Sequence, residues 1–329
     1  MEMKERLNEA REAIFKKAED IKGSKIEGPD FNKKMDLNEF INSYANIGFQ
    51  ASNLSKAIKI IKEMRKNKAK IYLSYTSGMI SSGIRDIIRY LVEHKLVDIL
   101  ITTTGGIEED LIKTMKPFIL GEFNSDGGKL REKGVNRIGN IFVPNDRYGL
   151  FEDWINPILK ELLEEQKSGK TLTASYIVKR LGEKIDNKES VYYWAAKNEI
   201  PVYLPAPLDG SLGDMIYFFK QANPEFQIDV TKDLKDLIDY GLQQDKTGII
   251  ILGAGVVKHH ACNANLFRDG ADYAVYVNAA QEFDGSDAGA TPDEAMSWGK
   301  IKSDKQNVVK VYSDATLVFP IIVAGAFLD

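Results

Sequence analysis

The chain has 329 residues, 43% of them hydrophobic and 28% charged, with a formal net charge of −4. This is an ordinary globular composition, long enough for one large domain or two medium ones. The charge excludes a strongly basic nucleic-acid binder but permits a basic protein partner or a cationic small molecule. One cysteine, Cys262, leaves no internal disulfide and fits a reducing compartment. The opening stretch "MEMKERLNEAREAIFKKAED" has no apolar signal core, and "LVFPIIVAGAFL" is too short to span a bilayer. The expectation is a cytoplasmic protein with no membrane or nucleic-acid partner.

Leu7, Ala10, Ile14, Ala18 and Ile21 recur at helical spacing and predict a first helix ending at Gly23. The polar tether "GSKIEGPDFNKK" follows, so residues 1–29 read as a helical arm and tether, and residues 30–329 as one α/β domain. Asp36 and Glu39 form a capping-box pattern that starts a helix carrying Phe40, Ile41 and Tyr44. From residue 70 strands and helices alternate. "KIYLSY", "VDILITT", "IPVYLP", "FQIDV", "GIIILG", "ADYAVYVN" and "VVKVYSD" read as strands. "IRDIIRYLVEHK", "EEDLIKTMKPFI", "FEDWINPILKELLEEQ", "TASYIVKRLGEKI", "LGDMIYFFKQ", "TKDLKDLIDYGLQQ", "VVKHHACNANLF" and "DATLVFPIIVAGAFL" read as helices, with a Gly- and Asn-rich loop after the second of them. Apolar strands alternating with amphipathic helices imply an α/β fold, a Rossmann-like parallel sheet covered on both faces, with an N-terminal helical extension.

Ligands in such folds bind beyond the carboxyl ends of the strands, and the segments there share a character. "TSGMISSG", "TGGIEED", "APLDGSLGD", "AGVVKHH", "AAQEFDGSD" and "DAT" are small, hydroxylated, acidic or histidine-bearing. Thr76–Gly83 suits a phosphate at a helix N-terminus, and Thr104, Gly105 and Gly106 permit close backbone approach. Glu108 and Glu109 are equally well explained by the helix dipole. No complete G-x-G-x-x-G occurs, and His259, His260 and Cys262 lack metal-ligand spacing, so no metal is expected. Adjacent helical residues point about 100° apart, so one of the two histidines can face a given site, as general base or as a satisfied core residue. Asp209, Asp214, Asp287 and Glu294 would make an acidic wall for a polycation, with Trp298 to cover a cation or alkyl chain. Lys300 is then an odd positive charge. Desolvation would make it nucleophilic, whereas the nearby acids favour its charged form.

"SYTSGMISSGIRDIIRYLVEHKLVDILITTTGGIEEDLIK", "ESVYYWAAKNEIPV", "LDGSLGDMI", "ILGAGVVKHHACNANL", "ADYAVYVNAAQEFDGSDAGA" and "DEAMSWGKIK" together resemble the deoxyhypusine synthase family. The resemblance runs from about Asp30 to the C-terminus. It implies a homotetramer that uses NAD and spermidine and moves a 4-aminobutyl group onto one lysine of the translation initiation factor 5A precursor. By that resemblance Lys300 carries the imine intermediate and His259 handles substrate protons. Glu108, Glu109, Asp214, Gly285, Ser286, Asp287, Glu294 and Trp298 would surround spermidine. The cofactor would be met by Ser77, Gly78, Met79, Ile80, Ser81, Thr103, Thr104, Gly105, Glu109, Asp209, Ala254, Ala279, Ala280, Asp314 and Ala315. Ala254 and Ala279 replace a glycine and a threonine of the family pattern, and one extra residue lies between Lys300 and "VYSDA"; the two substitutions bear on NAD affinity. The family's N-terminal helix can occlude a neighbouring subunit's active site, but the arm here matches it poorly. Three rival readings stand beside this one: homospermidine synthase with putrescine as acceptor, a catalytically silent NAD-binding paralogue, and an amine dehydrogenase that would need no Lys300.

Overall fold

A computed structural model describes residues 2–328. Nine strands are present among them: β1 (Lys70–Tyr75), β2 (Ile99–Thr102), β3 (Ile119–Leu120), β4 (Val135–Ile138), β5 (Ile141–Pro144), β6 (Val202–Tyr203), β7 (Thr247–Leu252), β8 (Tyr273–Asn278) and β9 (Val308–Tyr312). Six form one sheet in the order β6-β2-β1-β7-β8-β9, parallel throughout. Numbered by their own succession these are strands 3-2-1-4-5-6, the dinucleotide-binding order, and the direction of winding reverses between β1 and β7.

The burial follows the period of two. Ile71, Leu73 and Tyr75 join Ile250, Leu252, Val275 and Val277 in one core, with the helices Phe49–Lys66 and Ala315–Phe327. Tyr72, Ile249, Ile251, Ala274 and Tyr276 face the other way, with Leu237, Val257 and Ala261 from the helices Val230–Leu242 and Val256–Ala264. Both faces are therefore dry, which is why β1, β7 and β8 read as continuous apolar runs. The fold class expected from the sequence is the one observed.

Individual elements differ from the expectation. Helix Glu2–Ile14 ends well before Gly23, and none of its residues is buried. Short helices gain most of their stability by packing an apolar face, and this one buries none of its residues among the described ones. The arm is tied to the body at Glu27, whose N–H donates to Asn46 O at 3.1 Å. The capping box forms as read, with Asp36 accepting from the Glu39 N–H and Glu39 accepting in return. Helix Phe49–Lys66 fills a stretch left unassigned by the sequence reading. "EEDLIKTMKPFI" ends its helix at Met115 because Pro117 forces Lys116 into extended backbone (φ −154°, ψ 133°). The Gly- and Asn-rich loop folds as a three-stranded antiparallel sheet, β3-β5-β4. "FQIDV" forms no strand: Phe226 inserts into the core and Val230 opens the next helix. Helices Val191–Asn198 and Pro292–Ser297 were not foreseen. The first packs against helix Thr104–Met115, since the Tyr192 hydroxyl donates to Gly106 O at 2.7 Å.

Candidate active site

The second unforeseen helix explains the "SWGK" spacing. Thr291 precedes it in extended backbone and Pro292 opens it, where a missing N–H costs nothing. At its other end Gly299 adopts φ +71°, which favours glycine. The Gly299 N–H donates to Met296 O at 2.9 Å and the Lys300 N–H to Ala295 O at 3.0 Å, the paired bonds of a Schellman stop. Lys300 O then accepts from the Ala271 N–H at 3.0 Å, and Ile301 bridges Ala271 in parallel. The lysine backbone is thus fixed on both sides.

Its side chain enters a cleft of about 450 Å³ lined by Lys258, His259, Asp287, Glu294, Trp298 and the Cys262–Tyr276 floor. Lys300 Nζ lies 5.5 Å from the Trp298 ring centroid. Asp287 Oδ1 is 3.2 Å from His259 Nδ1, and Gly285 also lines the cleft. Ser286 stands beside them, its N–H donating to Asp284 Oδ1 at 2.8 Å. Cys262 Sγ and the Tyr276 hydroxyl lie 3.1 Å apart, and burial pushes the thiol up to about 11. His260 turns away, half-buried, with its pKa lowered by burial. The cleft runs along helix Val256–Ala264 on one face of the sheet. It reaches back toward the amino end of β8, where Ala271 anchors Lys300, and so extends well away from the carboxyl ends.

Lys258 was missed by the sequence reading. Its side chain is buried, and its ammonium group donates to Asp287 O and, at 3.0 Å, to Ala290 O. Burial lowers its pKa, with the Asp287 carboxylate opposing. A signal existed: Val257, Lys258, Ala261 and Cys262 share the buried face of one helix, and a lysine there needs a partner.

A second cluster occupies the carboxyl ends of β1 and β2. The Ser77 N–H donates to Thr103 Oγ1 at 3.1 Å, and Ser77 leads into the turn Gly78, Met79, Ile80, Ser81. Lys113 Nζ closes that turn by donating to the carbonyl oxygens of Ile80, Ser81 and Ser82 at 2.8–3.2 Å. A Cβ on Gly105 would stand 2.9 Å from Ser77 Cβ, so the two loops approach as closely as glycine allows. The Ser81 hydroxyl donates to Glu109, whose carboxyl is pushed up to about 7 by burial, with Glu108 adding to the rise. Glu108 accepts from the Leu212 N–H at 2.6 Å; burial raises its pKa and Asp214 adds to that. Thr104 Oγ1 ties to Ala206 O at 2.7 Å, on the loop that carries Asp209.

The remaining expected cofactor positions also follow strand ends. Gly253 (φ +87°) packs against the Thr76 hydroxyl and precedes Ala254. Ala279 and Ala280 leave β8, the Ala280 N–H donating to Asn278 Oδ1 at 3.1 Å. Asp314 caps the last helix through the Thr316 N–H at 2.8 Å, and Ala315 opens it. The four acids expected to form one wall fall into two groups. Asp287 and Glu294 line the lysine cleft, whereas Asp214 and Asp209 sit with Glu108 beyond β6. β6 and β8 are four strand spacings apart in the sheet, roughly 19 Å.

The family signature described as deoxyhypusine synthase matches residues 39–326, nearly the whole α/β body just described. The chain belongs to the deoxyhypusine synthase family. It is 49% identical to the deoxyhypusine synthase of Senecio vernalis, over 98% of this chain and 94% of that one. It is 48% identical to homospermidine synthase 2 of the same plant, over 98% and 95%. Among solved structures, a crystal structure from Entamoeba histolytica, provisionally named a deoxyhypusine synthase, superposes with a TM-score of 0.66 at 31% identity and covers 92% of this chain and 96% of that one. Membership of the deoxyhypusine synthase family makes the chain an enzyme of that class. No described helix is long and apolar enough to cross a membrane.

Proposed function

We propose that this deoxyhypusine synthase family member transfers the 4-aminobutyl group of spermidine to one lysine of the translation initiation factor 5A precursor, with release of 1,3-diaminopropane, in the cytoplasm. The observation that carries this reading is Lys300: its backbone is locked by the Schellman stop while its amine projects into an acid-lined cleft beside Trp298 and the His259–Asp287 pair. A solvated surface lysine needs none of these restraints.

The residues at the strand ends fit NAD. The sheet has the dinucleotide-binding order, the Gly105–Ser77 contact brings the two strand-end loops together, and helix Thr104–Met115 presents its N-terminal N–H groups there. Ser77–Ser81, Thr103–Gly105, Glu109, Asp209, Ala254, Ala279, Ala280, Asp314 and Ala315 would hold it. When bound, NAD would supply the hydride acceptor for the donor amine and the hydride donor for the imine left on the acceptor lysine.

The chain's own groups supply the rest. Asp287 and Glu294 hold ammonium groups by charge-assisted hydrogen bonds, and Trp298 covers the aliphatic chain. His259, oriented by Asp287, takes the proton released when the secondary amine of spermidine becomes an imine. Lys300 Nζ attacks the imine carbon, 1,3-diaminopropane leaves with the original nitrogen, and the aminobutyl group stays on Lys300 as a new imine. The acceptor lysine attacks the same carbon and frees Lys300. Asp214 and Glu108 lie outside the lysine cleft within one chain, which supports a homotetramer or smaller oligomer whose substrate site a second copy completes.

Homospermidine synthase is the second reading, favoured by the 48% identity to that enzyme; the donor half of both reactions is the same. Purified protein, NAD and labelled spermidine, incubated with the factor precursor and separately with putrescine, distinguish them. Label in the protein acceptor is expected. Label in putrescine alone would replace this reading with the second, and label in neither would sink both.

A further inference from the structure

Residues 279–291 carry Gly285, Ser286 and Asp287 yet contain no helix or strand. The segment's two limbs meet at a neck, where a Cβ on Gly289 would stand 1.7 Å from the Gln281 carbonyl oxygen. Lys310, from β9, fills that neck. Its side chain is 6% exposed, and its ammonium group donates to Ala280 O at 2.8 Å and to Gly289 O at 2.6 Å, one acceptor on each limb. The Tyr312 ring lies 4.2 Å from Lys310 Nζ, and the Tyr312 hydroxyl donates to Glu282 Oε1 at 2.7 Å, gripping the same segment again. Farther along, Lys258 holds Asp287 O and Ala290 O. Two buried ammonium groups from different elements thus bind four carbonyl oxygens of an otherwise irregular loop.

A lysine within a strand otherwise buried as Val308, Val309 and Val311 is expensive to desolvate. An apolar residue would serve the core better, so the observation calls for a gain elsewhere. We infer that Lys310 is a positioning residue: it ties the two limbs of the 279–291 loop together and thereby fixes Asp287 against His259 in the Lys300 cleft. The inference rests on the proposed polyamine reading for what the cleft binds, but not for the brace itself.

Lys310→Met keeps the alkyl stem and removes all three donors. In the full-length protein, amides of residues 280–290 should exchange with deuterium at least tenfold faster, with β1 and β7 unaffected. Spermidine, titrated by calorimetry in the presence of NAD, should bind at least tenfold more weakly. Its KM should rise while kcat stays within about threefold, whereas a merely structural defect would lower the active fraction and hence kcat. Lys310→Gln, which retains a neutral donor, should fall between, and it is read in the same way if the methionine variant does not fold. Unchanged loop exchange overturns the brace. Faster exchange with unchanged spermidine Kd and KM overturns the positioning role. If the unaltered protein binds no spermidine, the functional reading fails, and the exchange comparison still judges the brace.

Discussion

The cluster at the ends of β1 and β2 and the cleft around Lys300 solve opposite problems. In the first, Glu109 is 6% exposed and closed in by Ser81 and by the Ser77–Gly105 contact. In the second, the side chains of His259 and Asp287 are 48% and 39% exposed, and Trp298 is 65% exposed. The closed region is set by strand ends and short turns, and low dielectric there moves the protonation of Glu108 and Glu109. The open region is built from one loop, one short helix and buried lysines, and leaves its carboxylates in water, available to an incoming polycation. On the proposed function, the dry region would keep the cofactor and is closed in advance, whereas the open one would exchange a charged substrate and be desolvated only when it arrives.

The sharpest way to break that comparison is Lys300→Arg. Arginine keeps the charge but is effectively never deprotonated and cannot attack an imine. Acceptor modification should fall to background, while some NADH still forms from spermidine and NAD. Borohydride reduction of the unaltered enzyme with both ligands should place one aminobutyl group on Lys300, and none on the variant. An adduct on another lysine, or normal transfer by the variant, would defeat the mechanism.

The dry region predicts a pH effect. Glu109 rises from an ordinary 4.5 to about 7 in the folded protein. Its contribution to folding is therefore fully present below pH 4.5 and is lost as pH climbs through about 7. Glu109→Gln should match the parent near pH 4.5 and be more stable above pH 7, by about 3 kcal/mol at 1.36 kcal/mol per pKa unit. Urea midpoints at both pH values check this; an equal difference at the two would show that Glu109 is not held protonated.

In the open region, Asp287→Asn should weaken spermidine by about ten- to a hundredfold, from the roughly 1.5–3 kcal/mol of a charge-assisted hydrogen bond. NAD should bind the variant unchanged. Asp214→Asn should behave likewise only if a second copy brings it to the cleft, so calorimetry on both variants, with light scattering for the assembly, tests the two together. Unchanged spermidine affinity in both would mean the substrate lies elsewhere.

The smallest effect is expected from Gly105→Ala. Overpacking against Ser77 costs about 1–3 kcal/mol, and the better helix propensity of alanine returns about 1 kcal/mol. Net destabilisation should be slight, with NAD affinity reduced more than spermidine affinity. The reverse order would exchange the roles of the two regions.

Much of this protein was legible as pattern. The apolar runs of β1, β7 and β8 announce a sheet dry on both faces, and Asp36 and Glu39 announce a capped helix. Local chemistry suffices there, because periodicity and capping act over a few residues. "FQIDV" and the Gly- and Asn-rich loop misled for the complementary reason: whether a short apolar run pairs as a strand depends on a neighbour distant in sequence. The same holds for Lys258 and Lys310, which look like any surface lysine until a loop from elsewhere lays its carbonyl oxygens over them. Sequence alone determined the fold class and the family, and it singled out Lys300 as a candidate. Only the tertiary structure decided that Asp287 and Glu294 share its cleft while Asp214 does not, because the spacing between strand ends is a property of sheet order, which no local interaction encodes.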